Sequence, residues 1–264
     1  MRPTPLRHLP TWLALALSAA ALAFSLGIVT PPRTAVESVP SPQFTEAQKQ
    51  EIGRVAHDYL LAHPEVIRDA IQALQAKEEA AKAGLQSEAV TGNKDKIFAD
   101  PAAPFAGNPV GDVTIVEFFD YKCPYCKQVS PALKELLQTD KGLKLVFKEF
   151  PILGEPSVLA ARAALAAAKQ GKYVAFHEAM MAHRGALDLT SIATVAAGIG
   201  LDAEKLVADM KSEEIEQQLT DNHALAMALS VRSTPTFIIG DKVLPGALSI
   251  DQLRELITDY RKGP

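Results

Sequence analysis

Val113-Thr114-Ile115-Val116-Glu117-Phe118-Phe119-Asp120-Tyr121-Lys122-Cys123-Pro124-Tyr125-Cys126 is the stretch on which the reading of this chain turns. Its first seven residues are apolar, β-branched or aromatic apart from Glu117, a pattern suited to a strand covered on both faces. The Cys123-Pro124-Tyr125-Cys126 turn then opens a helix predicted from about Pro124 to Leu137. Proline fits a first helical turn, and Val129, Leu133, Leu136 and Leu137 recur at helical spacing. Leu143 to Lys148 reads as another strand, parallel to the first because a whole helix separates them. The unit is β-α-β with cysteines at its hinge, which makes the fold class α/β.

Cys123 and Cys126 are the only two cysteines among 264 residues. A disulfide between residues three apart closes so small a loop that it is a poor structural staple. A zinc site would need two further sulfur or nitrogen ligands, and there is no third cysteine. Redox chemistry explains the pair better: one thiol attacks a substrate sulfur and the other resolves the mixed disulfide, cycling between a dithiol and a Cys123–Cys126 disulfide. Cys123 lies where unpaired amide groups and the helix macrodipole favour an anion, whereas Cys126, a turn further in, gains less. Pro124 and Tyr125 add no charge and would tune the pair through turn geometry and access.

Glu117 is the only charge in the apolar strand. A carboxylate there is costly unless paired or protonated, and protonation would raise its pKa toward the working range and let it relay a proton to or from Cys126. The plainer reading is a sheet-edge residue facing solvent. Lys148 on the adjoining strand is a possible partner, although a solvated lysine is the simpler expectation. His177-Glu178 with His183 superficially resembles a zinc helix, but six residues separate the histidines where the metalloprotease motif needs four. Those residues, with His57, His63 and His223, read as surface or packing positions. The Glu213-Glu214-Glu216 cluster reads as a solvated helix face.

Arg2 and Arg7 precede an uncharged stretch from Trp12 to Val29, which reads as an export signal. Residues 1–30 are expected to be either a signal peptide, with Ala21-Leu22-Ala23 as a cleavage site, or an uncleaved inner-membrane anchor built on residues 12–29. Either way the remainder reaches an oxidising space, the periplasm, where a lone vicinal pair serves to make or reshuffle the disulfides of other proteins. With 48% hydrophobic and 22% charged residues the composition is that of a globular protein. Beyond residue 32 the chain holds 25 basic and 31 acidic residues, a formal charge of −6. Nucleic-acid binding, which needs a basic footprint, is therefore not expected.

Pro31, Pro32, Pro40 and Pro42 mark residues 31–43 as an extended linker. Residues 44–92 form a helical arm. Thr45 with Gln48 makes a capping box ahead of an apolar stripe of Ile52, Val55, Tyr59 and Leu60. Pro64 ends that helix and starts a second, whose stripe of Val66, Ile67, Ala70, Ile71 and Leu74 is interrupted at Lys77-Glu78-Glu79. The stripes must be buried against the main domain or against copies of the chain. Copies are the favoured reading, which makes the protein a dimer or trimer.

From residue 93 the pattern mixes strand and helix. Lys96-Ile97-Phe98 reads as a short edge strand, and Phe118, Phe119 and Phe147 as core. Residues from about 155 to 230 read as an inserted block of helices, with starts at Thr190 and Asp202 and a longer helix from Ser212 to Ser230. Strand signals return at Thr236–Ile239 and Lys242–Leu244 around a Gly240-Asp241 turn, before a last helix from about Ser249 to Arg261.

The β-α-β unit holding CPYC, the helical insertion, and Ser233-Thr234-Pro235-Thr236 ahead of a hairpin and closing helix together resemble the DsbA-like family of bacterial periplasmic thiol-disulfide oxidoreductases. The resemblance spans roughly Lys94 to Lys262, and the helical arm is similar to those of oligomeric ScsC-type members. It implies a thioredoxin-like fold with an inserted helical domain, preceded by the arm. It also implies that Cys123 is the exposed nucleophile, Cys126 the buried resolving thiol and Glu117 the family's buried acid. Thr234 and Pro235 would form a cis-proline loop presenting backbone groups to substrate beside Pro124 and Tyr125. No cofactor and no metal is implied. The implied partners are reduced or misbridged exported proteins and a membrane redox partner of DsbB or DsbD type. The same residues would serve an oxidase or an isomerase. A different class remains open: a non-catalytic holdase or copper-binding adaptor with the thiols as soft ligands for Cu(I).

Overall fold

A computed structural model describes residues 44–263. The expected signal or anchor, residues 1–30, and the expected linker, residues 31–43, lie outside the described residues. The described residues divide into two units, the first ending at Val66 and the second beginning at Ile67.

In the first unit, helix α1 spans Glu46–Ala62, opened by the Thr45/Gln48 capping box and ended at His63, one residue before Pro64. Ile52, Val55 and Tyr59 on it are exposed. Helix α2, Glu65–Gly92, starts at the boundary and runs through Lys77-Glu78-Glu79 without a break, because all three are good helix formers and only the apolar stripe stops there. Ile67, Ile71 and Leu74 on α2 are also exposed, whereas Val90 near its end is buried.

Within the second unit, a five-stranded sheet has the order β1-β3-β2-β4-β5. The strands are β1 Phe105–Gly107, β2 Val113–Phe119, β3 Leu143–Glu149, β4 Thr236–Ile239 and β5 Lys242–Pro245. β2 and β3 pair in parallel, as the intervening helix α4, Pro124–Thr139, requires. The other three pairings are antiparallel. The expected edge strand at Lys96–Phe98 is instead the short helix α3, Lys94–Phe98, which buries Ile97 in one core with Val90, Val116 and Phe118. The edge position goes to β1, beyond Pro101 and Pro104, where Phe105 pairs with Val146.

Between β3 and β4 lie five helices: α5 Glu155–Lys169, α6 Tyr173–Ala182, α7 Leu189–Gly198, α8 Ala203–Asp209 and α9 Glu213–Ala228. Asp188 and Asp202 cap α7 and α8 by accepting from backbone amides, which satisfies groups a helix start leaves unpaired. Helix α10, Ile250–Lys262, closes the chain behind a Ser249/Gln252 capping box.

Because side chains alternate along a strand, β2 presents Val113, Ile115, Glu117 and Phe119 to one face and Val116 and Phe118 to the other. The first face packs on α4, α10 and the inserted helices, and the second on α3 and the ends of α2 and α9. Among the described residues, no helix is long and apolar enough to cross a membrane.

Candidate active site

The end of β2 and the start of α4 hold the two cysteines. Cys123 is the N-cap of α4 and Pro124 its first residue. The cysteine's amide donates to the Asp120 carbonyl at 3.0 Å and its carbonyl accepts from Lys127 at 3.2 Å. Both cysteines are free thiols here, so the expected Cys123–Cys126 disulfide is not formed; a redox pair visits both states. Cys126 is fully buried and Tyr125 is 61% exposed.

The expected exposed nucleophile is largely covered. Cys123 is only 3% exposed, because its sulfur turns under the loop before β4 and lies 3.2 Å from the Thr234 carbonyl oxygen. Thr234 and Pro235 are joined by a cis peptide bond. The Thr236 hydroxyl donates to the Ser233 carbonyl at 2.8 Å across this loop.

Burial pushes the Cys126 thiol well above the ordinary range, and the charge of Glu117 adds to the shift. Glu117 is buried and neither carboxyl oxygen has a hydrogen-bond partner. Burial alone raises its pKa from 4.5 to about 8. The solvent-facing alternative for Glu117 is thus set aside.

Lys148 is neither solvated nor paired with Glu117. It is 1% exposed and forms an ion pair of 2.5 Å with Asp100. Register puts it opposite Phe118, so it belongs to the other face of the sheet from Glu117.

Two further acids at this end of the sheet escaped the reading of the sequence. Asp120 is buried, and its carboxylate accepts from the amides of Lys122 at 2.7 Å, Ile152 at 2.9 Å and Leu153 at 3.0 Å. It fastens the loop before Cys123 to the loop after β3. Glu149 lies on the Glu117 face and accepts from the Tyr173 hydroxyl at 2.6 Å. The Tyr121 hydroxyl is 3.4 Å from the same oxygen and 3.1 Å from His177 Nδ1. Burial holds Glu149 well above the carboxylate range and drives His177 down to about 3, so His177 is a neutral packing residue among Phe119, Phe147 and Tyr173. The available signal for Glu149 was its period-two alternation with Leu143, Leu145 and Phe147. Among the described residues, no group of three or more His, Cys, Asp or Glu is placed to hold a metal.

A thiol pair at a helix start, facing a cis-proline loop and backed by a buried acid, invites comparison with known proteins. A family model described as the DSBA-like thioredoxin domain matches residues 114–258. The chain belongs to that family. A second match, to the N-terminal domain of copper resistance protein ScsC, covers residues 48–81.

Solved DsbA-like relatives include a thioredoxin-like oxidoreductase from Silicibacter pomeroyi DSS-3, 45% identical, covering 65% of this chain and 99% of that one, with a TM-score of 0.63. The thiol-disulfide exchange protein alpha-DsbA2 from Wolbachia pipientis is 33% identical, with coverage of 68% and 98% and a TM-score of 0.64. Proteus mirabilis ScsC in a transitional conformation is 29% identical, with coverage of 84% and 98% and a TM-score of 0.62. A curated relative, the Na(+)/H(+) antiporter NhaA 1 of Salinispora arenicola (strain CNS-205), is 30% identical over 153 residues, 57% of this chain. The chain spans about a quarter of the length of the curated relatives it matches, 24% in that case.

Proposed function

We propose that this member of the DsbA-like thiol-disulfide oxidoreductase family forms or rearranges disulfides in exported proteins through Cys123 and Cys126. The observation that carries the reading is the pairing of a helix-capping Cys123 against the Thr234 carbonyl with a buried Cys126 beneath it. A client thiolate attacks the Cys123 sulfur of the oxidised pair, the Cys123–Cys126 bond breaks, and Cys126 leaves with the electron pair. A buried thiolate is costly, so it takes a proton, and Glu117 holds one at neutral pH. A second client thiolate then attacks the client sulfur of the mixed disulfide and releases Cys123. Two electrons reach the enzyme, and a membrane partner of DsbB type would remove them. As an isomerase the chain would start reduced, kept so by a partner of DsbD type, with Cys123 attacking wrong bonds. Pro124, Tyr125, Thr234 and Pro235 would contact the client strand. The uncharged stretch from Trp12 to Val29 supports a periplasmic location, soluble or anchored.

The exposed stripes of α1 and α2 and the match to the ScsC N-terminal domain support a homo-oligomer joined through the arm. That match also supports a second reading, a copper-binding adaptor with both thiolates as ligands, against which the burial of Cys126 speaks. Insulin reduction separates the two. Cys123→Ser is expected to abolish it, and activity that survives would rule out this thiol as catalyst. Comparing oxidation of a reduced client with unscrambling of a misbridged one decides the direction.

A further inference from the structure

Several basic side chains lie close to Cys123 or to the loop that meets it, in a chain that is acidic overall. Beyond residue 32 acidic residues outnumber basic ones, and many basic side chains on the described surface are paired with carboxylates. Lys134 meets Glu178, Arg162 meets Glu216, Lys169 meets Glu214 and Arg254 meets Glu135. Near the thiol four basic residues have no such partner among the described residues. Lys122, just before Cys123, donates to the Leu153 carbonyl at 3.3 Å. Lys127 lies four residues on from Cys123 and so shares its side of α4, and its ammonium donates to the His183 carbonyl. Arg184 follows in that loop and donates to the Met181 carbonyl at 2.7 Å. Arg184 also reaches the His183 carbonyl, at 3.4 Å, so the two cations share an acceptor. Arg232 is exposed and stands two residues before Thr234, whose carbonyl meets the Cys123 sulfur.

Among the described residues none of these four cations forms an ion pair, and their carbonyl partners leave the positive charge in place. Asp120, the acid nearest in sequence, is buried and occupied by three backbone amides. Four cations without a carboxylate partner, drawn from three segments, therefore flank Cys123 or the loop that meets its sulfur, in a chain that is acidic overall.

We propose that Lys122, Lys127, Arg184 and Arg232 form a basic rim that selects acidic partners, favouring thiols and disulfides with carboxylates close to the reacting sulfur. The proposal rests on the thiol-exchange reading above. With a small disulfide, the Cys123 thiolate attacks one sulfur, the probe's S–S bond breaks, and one half leaves as a thiolate that takes a proton from solvent. Cys126 then gives up its proton and attacks Cys123, releasing the second half, so two electrons pass from the dithiol to the probe. The rim draws in a carboxylate-bearing probe and repels a cationic one before either bond changes. Like-signed clusters of this kind alter association rates by about 10- to 1,000-fold, and salt screens the effect.

The test mixes the reduced full chain with glutathione disulfide, which is anionic, or cystamine, which is dicationic, and follows oxidation by alkylation and mass. A free cysteine peptide gives the intrinsic rate ratio of the two probes. The chain is expected to favour glutathione disulfide over that reference by at least about tenfold at low salt, and the preference should vanish at about 1 M salt, where the Debye length is about 3 Å. Joint Arg184→Glu and Arg232→Glu substitution should reverse it, whereas Arg254→Glu, away from the rim, should not. A ratio equal to that of the free peptide at every salt concentration, or unmoved by the double substitution, overturns the basic rim and leaves thiol exchange standing. Reaction with neither probe overturns both.

Discussion

Glu117 and Glu149 share one sheet face, and burial lifts both above the ordinary carboxylate range. For Glu117 the rise is from 4.5 to about 8, so the fold keeps a proton that the unfolded chain releases. Its contribution is present below the unfolded value and is lost as pH climbs through about 8. Glu117→Gln removes that loss. In urea unfolding the variant is expected to match the parent in acid and to exceed it by on the order of a few kcal/mol at alkaline pH. A stability difference that does not change with pH would mean that Glu117 is ionised in the fold. His177 acts with the opposite sign: held down to about 3 from 6.5, it withdraws stability as pH falls between those values. The same Glu117→Gln variant should slow the steps in which Cys126 takes up or gives up its proton, formation of the mixed disulfide by the oxidised enzyme and its release by Cys126 attack in the reduced one, by on the order of 100-fold, the scale of a lost general acid or base. Rapid-quench kinetics unchanged across pH would exclude the relay.

Elements hold the thiol in place through Asp120, which ties the end of β2 to the loop leaving β3. Asp120→Ala strands three amides, two of them 32 and 33 residues away, and is expected to destabilise the fold by on the order of 3 kcal/mol in denaturant titration. Asp120→Asn keeps one acceptor and should cost less. Equal stability of the alanine variant and the parent would show that water replaces the carboxylate. Most elements were legible because their signals are local. The capping boxes at Thr45 and Ser249, Pro124 in the first turn of α4 and the glycine turns act through near neighbours. Lys96–Phe98 misled because a three-residue apolar run fits a strand or one helical turn equally. Helix won there because Ile97 is buried beside Val90.

The whole molecule adds what no single element carries. The apolar stripes of α1 and α2 are exposed, and covering them with copies of the chain would stabilise by roughly 25 cal/mol per Å² buried. Light scattering is expected to give a dimer or trimer for the full chain and a monomer once residues 44–81 are removed. A monomer in both cases would end the oligomer reading. What the sequence determined by itself is the order of strand, CPYC turn, helix and strand, the helical insertion and the returning hairpin, because periodicity, proline and glycine act over a few residues. Only the tertiary structure decided which charge meets which. Asp100 reaches Lys148 across 48 residues, the Thr234 carbonyl covers Cys123 across 111, and Lys127 reaches the His183 carbonyl across 56. Strand pairing and packing set those contacts, since a shift of register by one residue sends every side chain to the other face.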